Sequence, residues 1–317
     1  MNRIVTTVKP EVLDITYWPT DICNFSCDYC FPGSTDGVYR YPKDLAQVLA
    51  GFDRLFSAYN KQGKSKFKLT IAGGGEPTLW PELGEFCKQV KQLNDVEIQI
   101  TSNASRTIRW WKEHASNISS VALSCHYKEV DVDHFINVAD LLYDNGVEVT
   151  AQVLMDPLNW GACNAVLEKL FGSKNSWFIQ TKEVIGNGPY LTYQREFLKN
   201  SLKRLIPSEL ILKNMENYQP IKSIEIVGDQ VKLSNMNTYI LENRNNFKGW
   251  SCNLATERIA IDSSGAIRGS CGVSIKPNLN LYNEELETEL LDLGSIVCTK
   301  HMCDCAPDTH ITKSAPL

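Results

Sequence analysis

The sequence has no long apolar run and no excess of positive charge. No stretch reaches the about 20 apolar residues that cross a bilayer, and the first ten residues lack the apolar segment of an export signal. The 32 Lys and Arg residues against 37 Asp and Glu give a net charge of −5. The chain therefore has no broad basic field for nucleic-acid phosphates or anionic lipid. We expect a cytoplasmic protein whose partners include neither a membrane nor a nucleic acid.

Cysteine, in contrast, is abundant. Eleven cysteines in a chain without an export signal argue for metal-binding or catalytic thiols, because reducing compartments keep thiols free of disulfides. Eight of them lie in two groups, one near each end of the sequence. The other three fall within predicted regular elements and fit small buried hydrophobic residues; they are Cys87, Cys125 and Cys163.

Short β-rich runs alternate with helical periodicity from residue 12 to about residue 186. This alternation predicts βα units around a parallel sheet, as an open doubly wound sheet or as a partial barrel. The six predicted strands are Val12–Trp18, Phe67–Ala72, Val96–Thr101, Ser120–Ser124, Val147–Leu154 and Trp177–Val184. In both architectures ligands bind at the carboxyl ends of the strands, so the loops after the strands are the candidate site.

The helices and the later segments complete the prediction. Helical periodicity covers Asp44–Tyr59, Pro81–Leu93, Asp131–Tyr143 and Gln194–Leu205. After Val184 the βα rhythm breaks, a hairpin is predicted from Ile221–Val227 and Gln230–Ser234, and a strand at Arg258–Asp262 turns at Gly265. We therefore divide the chain into a core of residues 1–186, a connecting and substrate-lining segment of residues 187–250, and a cysteine-rich extension of residues 251–317.

The first cysteine group is a C-x3-C-x2-C triplet on the loop after the first predicted strand. Cys23, Cys27 and Cys30 are close enough in sequence to bind three corners of one [4Fe–4S] cluster. With no fourth cysteine nearby, the last iron would stay open, which distinguishes a reactive metal site from a structural one. A zinc site or a chance cluster is the alternative, although structural zinc requires four ligands.

With the aromatic Tyr29 before its last cysteine, this triplet resembles the signature of the radical S-adenosylmethionine (SAM) superfamily. One βα unit later, Gly73-Gly74-Gly75-Glu76-Pro77 resembles that superfamily's Gly-Gly-Glu-Pro segment. The resemblance implies that SAM binds the open iron and that this segment holds the methionine amino group of SAM. Glycines would permit close backbone approach and Glu76 would pair with the ammonium. Taken alone, three glycines also fit a tight turn.

Three further strand ends contribute candidate residues at the same predicted edge of the sheet. Ser102 and Asn103 end the third predicted strand and are similar to the superfamily's polar strand end that binds the SAM ribose, although they also fit the N-terminal cap of a following helix. Ser124 and His126 end the fourth strand and would face SAM or substrate, with a structural histidine as the alternative. Lys182 and Glu183, near the end of the sixth strand, are candidates of the same kind.

The second cysteine group resembles the shortened twitch version of the SPASM extension of radical SAM enzymes. Its members are Cys252, Cys271, Cys298, Cys303 and Cys305. The resemblance implies one auxiliary [4Fe–4S] cluster, held by Cys252, Cys271 and Cys303 together with Cys298 or Cys305. The Gly265-to-Cys271 gap is one residue longer than the usual pattern, and a structural zinc site is the alternative.

Taken together, the resemblance implies an α/β fold with a partial (β/α)6 TIM-like barrel and a small cysteine-rich C-terminal extension. It implies reductive cleavage of SAM to a 5′-deoxyadenosyl radical that abstracts a hydrogen atom from a substrate, with flavodoxin or ferredoxin as the type of electron donor. Because the cysteine loop begins by residue 23, we expect no leader-peptide domain in front and favour a small molecule, sugar or nucleotide. A maturase of ribosomal peptides and, more distantly, a non-enzymatic iron–sulfur or zinc protein are the alternatives.

Overall fold

The computed structural model describes most of the chain, with gaps between its ranges. The described residues are 2–6, 10–30, 41–42, 44–173, 177–184, 187–204, 223–227, 230–234, 239, 243–269, 272–303, 308 and 311–316. Within them the chain forms an eight-stranded, mostly parallel sheet and a six-stranded antiparallel sheet. The α/β fold expected from the sequence is confirmed, as a partial barrel with a small antiparallel sheet beside it.

All six predicted core strands are present within one or two residues of their predicted bounds. They are β2 (Val12–Tyr17), β3 (Lys66–Ile71), β4 (Val96–Ser102), β5 (Ser120–Cys125), β6 (Glu148–Met155) and β7 (Phe178–Glu183). They lie side by side in chain order, and each pairs in parallel with the next. Their carboxyl ends therefore open on one edge of the sheet, where the cysteine loop and the glycine loop begin.

Seven α-helices are found among the described residues. They are α1 (Leu45–Lys61), α2 (Leu83–Leu93), α3 (Ile108–His114), α4 (Val132–Asp144), α5 (Trp160–Gly172), α6 (Thr192–Arg204) and α7 (Leu286–Leu291). Side-chain caps set several starts: Asp44 accepts hydrogen bonds from the first turn of α1, and Thr107 accepts one from Trp110 N in α3. Because Thr107 caps α3, Ser102 and Asn103 are not the N-terminal cap of this helix.

The core lies between the sheet and its helices. Alternate residues of each strand are buried against the helices, as in β3, where Phe67, Leu69 and Ile71 are fully buried and the residues between them face the barrel interior. Near the mouth the Tyr17 ring packs on the rings of Phe52 and Phe86, 5.4 and 5.6 Å away between centroids. Burial of aromatic side chains of this size anchors β2, the strand that carries the cysteine loop.

The C-terminal third contributes to both sheets. Strand β11 (Arg258–Ile261) pairs in parallel with β2, and β12 (Ile267–Arg268) returns antiparallel to β11, so these two strands extend the barrel wall. The antiparallel sheet has the order β13-β10-β14-β1-β8-β9. Its strands are β1 (Asn2–Thr6), β8 (Ser223–Val227), β9 (Gln230–Ser234), β10 (Ser251–Cys252), β13 (Ile296–Val297) and β14 (Lys313–Ser314).

The predicted hairpin and extension strands are therefore present, apart from positions outside the described residues. These positions include the hairpin turn at residues 228 and 229 and the end of the return strand at Cys271. None of the described helices combines the length and the apolar character needed to span a membrane.

Candidate active site

The cysteine loop leaves β2 and lies across the carboxyl ends of the neighbouring strands. Cys23 and Cys27 are half-buried and Cys30 is exposed. Burial, followed by the charges of Cys30 and Cys23, raises the pKa of Cys27 to about 12. Thiolates are the metal-binding form of cysteine, and a bound metal would have to supply the charge that stabilises them.

The glycine loop after β3 packs directly on the cysteine loop. Gly75 N donates to Thr20 O over 2.9 Å, and Glu76 N donates to Ile22 O over 2.8 Å. A Cβ atom on Gly75 would collide with Ile22 O, and Gly73 and Gly74 have φ angles of 76° and 65°. This close approach explains why glycines stand here, independently of any ligand.

The Glu76 carboxylate is turned into the protein and accepts four hydrogen bonds. Its Oε1 accepts from Thr78 N, Thr78 Oγ1 and Ser102 Oγ over 3.0, 2.6 and 2.7 Å, and its Oε2 accepts from Asn103 N over 2.7 Å. Burial raises the pKa of this carboxyl, while these hydrogen bonds lower it. Glu76 therefore joins the ends of β3 and β4, whereas the sequence predicted a carboxylate facing the ammonium of a ligand.

Asn103 connects this buried carboxylate to the cysteine loop. Its Nδ2 donates to Asn24 Oδ1 over 3.0 Å and lies 4.0 Å from Cys23 Sγ. Ser105 Oγ donates to the same Asn24 oxygen over 3.2 Å. Asn24 and Ser105 were not identified from the sequence, because no sequence pattern indicates the hydrogen-bond partner of a polar residue on a loop.

His126, after β5, contacts the cysteine loop from the other side. Its Nδ1 lies 3.0 Å from Tyr29 Oη and 3.3 Å from Cys27 Sγ, and its ring stacks on the Tyr29 ring at a centroid distance of 5.9 Å. Burial, and then the charge of Lys182, lowers the pKa of His126 to about 4, so the imidazole is neutral near pH 7. The predicted ligand-facing residues His126 and Tyr29 thus meet each other at the cysteine triplet.

Two more contacts of the β5 loop hold the cysteine loop, and neither was identified from the sequence. Ser26 Oγ donates to Glu129 Oε1 over 3.0 Å. Lys128 Nζ pairs with Asp28 Oδ2 at 3.0 Å, but both side chains are more than half exposed. An exposed ion pair of this kind contributes about 0–1 kcal/mol. The partly buried contacts of Tyr29 and Cys27 with His126 therefore dominate this side of the loop.

Uncharged polar side chains line the barrel interior on β5, β6 and β7. Ser124, Gln152 and Gln180 are aligned in register on β5, β6 and β7, and all three are half-buried on the inner face. Gln152 Oε1 is buried, and no donor among the described residues reaches it. A buried carbonyl oxygen without a donor costs about 1–3 kcal/mol, so this atom is suited to a ligand that donates a hydrogen bond.

The opposite wall of the mouth carries charge. Trp18, directly after β2, lies under the guanidinium of Arg268, whose central carbon is 5.5 Å from the ring centroid. Arg268 also pairs with Asp262 at 3.0 Å. On the other side Lys182 stands opposite Leu154 in the β6–β7 register and is exposed. Cationic side chains therefore lie on both sides of the uncharged group formed by Ser124, Gln152 and Gln180.

Three cysteines of the second group are buried in one region. Cys252 lies on β10, which pairs with β13, and Cys298 follows β13 directly. Cys298 and Cys303 pack in one apolar cluster with Phe247, and the charge of Cys298 contributes to the raised pKa of Cys252 after burial, the main cause. Cys271 and Cys305 lie outside the described residues.

Metal binding at the first group depends on its three cysteine thiols. Across the part of the chain that the structure describes, no three side chains converge closely enough to hold one metal ion. The thiolates of a cubane cluster bind different irons at separate corners, so they lie farther apart than the ligands of one zinc ion. Cys23, Cys27 and Cys30 are the thiols that could hold such a cluster at the open end of the barrel.

Comparison with protein families gives one match, over the region that carries this mouth. Residues 17–170 match the Radical SAM superfamily. Among curated proteins, the chain is 31% identical over 125 residues to the GTP 3′,8-cyclase of Mannheimia succiniciproducens, covering 37% of this chain and 35% of the relative. It is 36% identical over 106 residues to the GTP 3′,8-cyclase of Staphylococcus saprophyticus, covering 32% and 30%. The chain thus spans about a third of the length of the curated relatives that it matches.

Solved structures share the fold at low sequence identity. The structure of anSMEcpe with bound AdoMet has a TM-score of 0.58 and 17% identity, covering 89% of this chain and 80% of that one. The same protein with bound AdoMet and the Cp18Cys peptide has a TM-score of 0.54. At this identity the similarity establishes the fold, which extends beyond the matched region into the C-terminal part.

Proposed function

We propose that this chain, whose residues 17–170 belong to the radical SAM superfamily, cleaves SAM reductively and abstracts a hydrogen atom from a bound substrate. Cys23, Cys27 and Cys30 would hold the [4Fe–4S] cluster, with SAM at its open iron. When bound, these two groups supply the one-electron chemistry that yields methionine and a 5′-deoxyadenosyl radical. The observation that carries the proposal is the convergence of the cysteine, glycine and β5 loops at one end of the barrel.

The residues of the chain then have distinct parts in binding. Gly73 and Gly74 are exposed at the mouth, so their backbone groups are available to the methionine end of SAM. Ser102 and Asn103 are only 2% and 6% exposed and hold Glu76 and Asn24. We assign them to the support of the loop, and assign the contact with SAM to the Gly73–Gly74 backbone and to Ser124.

Positioning is the main contribution of the protein to such chemistry. The cysteine loop is held on one side by two backbone hydrogen bonds from Gly75 and Glu76 and on the other by His126. A loop fixed on both sides keeps its thiols in place when a charged ligand binds, which preserves the geometry that a reactive radical requires.

For the substrate, we favour a small molecule, sugar or nucleotide bound against Ser124, Gln152 and Gln180. These side chains offer donors and acceptors without charge, as hydroxyl and amide groups of a ligand require. The cyclase relatives act on GTP by name, which supports a nucleotide as one member of this class. A low-potential electron donor such as flavodoxin or ferredoxin would supply the electron.

The second cysteine group would hold one auxiliary [4Fe–4S] cluster. Support comes from the burial of Cys252, Cys298 and Cys303 in one region, since thiolate sets shielded from water suit iron–sulfur clusters. We assign Cys271 and Cys305 to the same set from their sequence positions. A structural zinc ion is the competing occupant, and metal analysis separates the two.

The test is anaerobic purification, reconstitution with iron and sulfide, and incubation with dithionite and SAM. We expect 5′-deoxyadenosine by mass spectrometry and about eight irons per chain, four for each cluster. Cys27→Ala should abolish deoxyadenosine formation. Cys87→Ala is the matched control, because Cys87 is buried in α2, away from both groups, and should keep activity. Unchanged deoxyadenosine formation in Cys27→Ala would overturn the proposal.

A further inference from the structure

A lysine is buried beside the second cysteine group. Lys313 is 1% exposed, although lysine is almost never fully buried without compensation. It stands on β14 directly opposite Cys252 in the β10–β14 register. The side chain that faces the cysteine group from the neighbouring strand is therefore a cation.

The partners of this ammonium keep it in place. Lys313 Nζ donates to the carbonyl oxygens of Asp308 and Ile311 over 2.5 and 3.0 Å. It also lies 5.2 Å from the ring centroid of Phe247, the residue that packs with Cys298 and Cys303. The charge thus lies between Cys252 on one side and the cluster of Phe247 with the other two cysteines on the other.

The Asp308 side chain has an ionic partner of its own. The Asp308 carboxylate is engaged by Arg258, whose Nε lies 3.4 Å from Asp308 Oδ1, and Arg258 also faces Asp14 at 3.8 Å. The charge of Lys313 lowers the pKa of the Cys252 thiol, against the larger effect of burial, which raises it. The ammonium therefore acts electrostatically on this sulfur across the sheet.

We propose that Lys313 is the buried counter-cation of the second cysteine group and raises the reduction potential of the cluster bound there. This inference rests on the auxiliary cluster of the proposed function. A cubane with four thiolates carries net negative charge, and reduction adds one more electron to it. A nearby buried cation stabilises the reduced form more than the oxidised form, because the attraction grows with the negative charge.

The test measures the potential of that cluster alone. In a background of Cys23→Ala, Cys27→Ala and Cys30→Ala the first site is lost, and the second cluster of the full-length chain is titrated by electron paramagnetic resonance. At a fixed potential, Lys313→Gln and Lys313→Met should lower the ratio of reduced to oxidised cluster at least about tenfold, which is 59 mV for a one-electron couple. Lys313→Arg keeps the charge and should change the ratio by less than about twofold.

Lys300→Gln is the matched control. Lys300 lies two residues after Cys298 but is exposed, so water screens its charge and its removal should change the ratio by less than about twofold. Equal changes of the ratio of reduced to oxidised cluster in Lys300→Gln and Lys313→Gln would overturn the proposal. So would an unchanged ratio in Lys313→Gln and Lys313→Met when both variants retain iron and sulfide. Failure to assemble a cluster in Lys313→Gln and Lys313→Met but not in Lys313→Arg supports a charge requirement. Failure to assemble a cluster in all three Lys313 variants would show that Lys313 acts through packing and would overturn the proposal.

Metal analysis separates this inference from the rest of the proposed function. Zinc, or no metal, in the triple-alanine background would eliminate both the auxiliary cluster and the proposed role of Lys313. Deoxyadenosine formation by the otherwise unchanged protein would then show that the radical chemistry at the first group is independent of both.

Discussion

Replacement of Gly75 by alanine tests whether the glycine loop supports the cysteine loop. The new Cβ would overlap Ile22 O, so the two loops must separate and the hydrogen bonds Gly75 N to Thr20 O and Glu76 N to Ile22 O must weaken. Two lost hydrogen bonds at about 1 kcal/mol each, together with 1–3 kcal/mol of steric strain, destabilise the protein by about 4 kcal/mol.

For a chain of this size such a loss lowers the Tm by about 6 °C. Displacement of residues 20–22 also moves Cys23, so we expect iron bound at the first group after reconstitution to fall by more than half. The assay pairs thermal unfolding by circular dichroism with iron counting. Gly161→Ala is the control, because a Cβ there meets nothing within 4 Å, and it should be neutral or stabilising by up to about 1 kcal/mol. A Gly75→Ala protein with the Tm and iron content of the wild type would refute the argument.

Three further perturbations separate the parts of the site. Glu76→Gln should destabilise the protein by about 2–4 kcal/mol in urea, because its amide cannot accept all four hydrogen bonds. Glu85→Gln, on the exposed face of α2, should change stability by less than about 0.5 kcal/mol. Gln152→Leu should raise the free energy of unfolding by about 1 kcal/mol, because the substitution removes a buried oxygen that has no donor. It should leave the cleavage of SAM in the absence of substrate unchanged. A destabilised Gln152→Leu variant would contradict this reasoning. Cys303→Ala should lower iron from about eight to about four atoms per chain and retain deoxyadenosine formation, and full iron content would show that Cys303 is not a ligand.

The core strands and helices were predictable because their signals are local. Apolar alternation identified β2 to β7, and the residues around Asp44 and Asp131 identified the starts of α1 and α4. The cysteine triplet and the glycine loop were also identified, since each is a short run with a fixed spacing. These features need no knowledge of what lies beside them in space.

The remaining features depend on contacts between distant parts of the chain. The strand near residue 258 was predicted, but its parallel pairing with β2 was not, because no local pattern specifies a partner so far away in sequence. The inward turn of Glu76 depends on donors supplied by the end of β4. The burial of Lys313 depends on a sheet whose strands come from both ends of the chain. The sequence around Lys313 therefore gave no indication that this side chain is buried.

The pairing of β11 with β2 also determines when the barrel wall can be completed during synthesis. A ribosome releases β2 early, and its free edge has no parallel partner on that side until residues 258–261 emerge near the end of translation. Contacts of such long sequence separation slow folding, and an unpaired edge strand is open to pairing with other chains. The strand that carries the cysteine loop is thus enclosed only near the end of translation, and early release of a truncated chain would leave it exposed to aggregation.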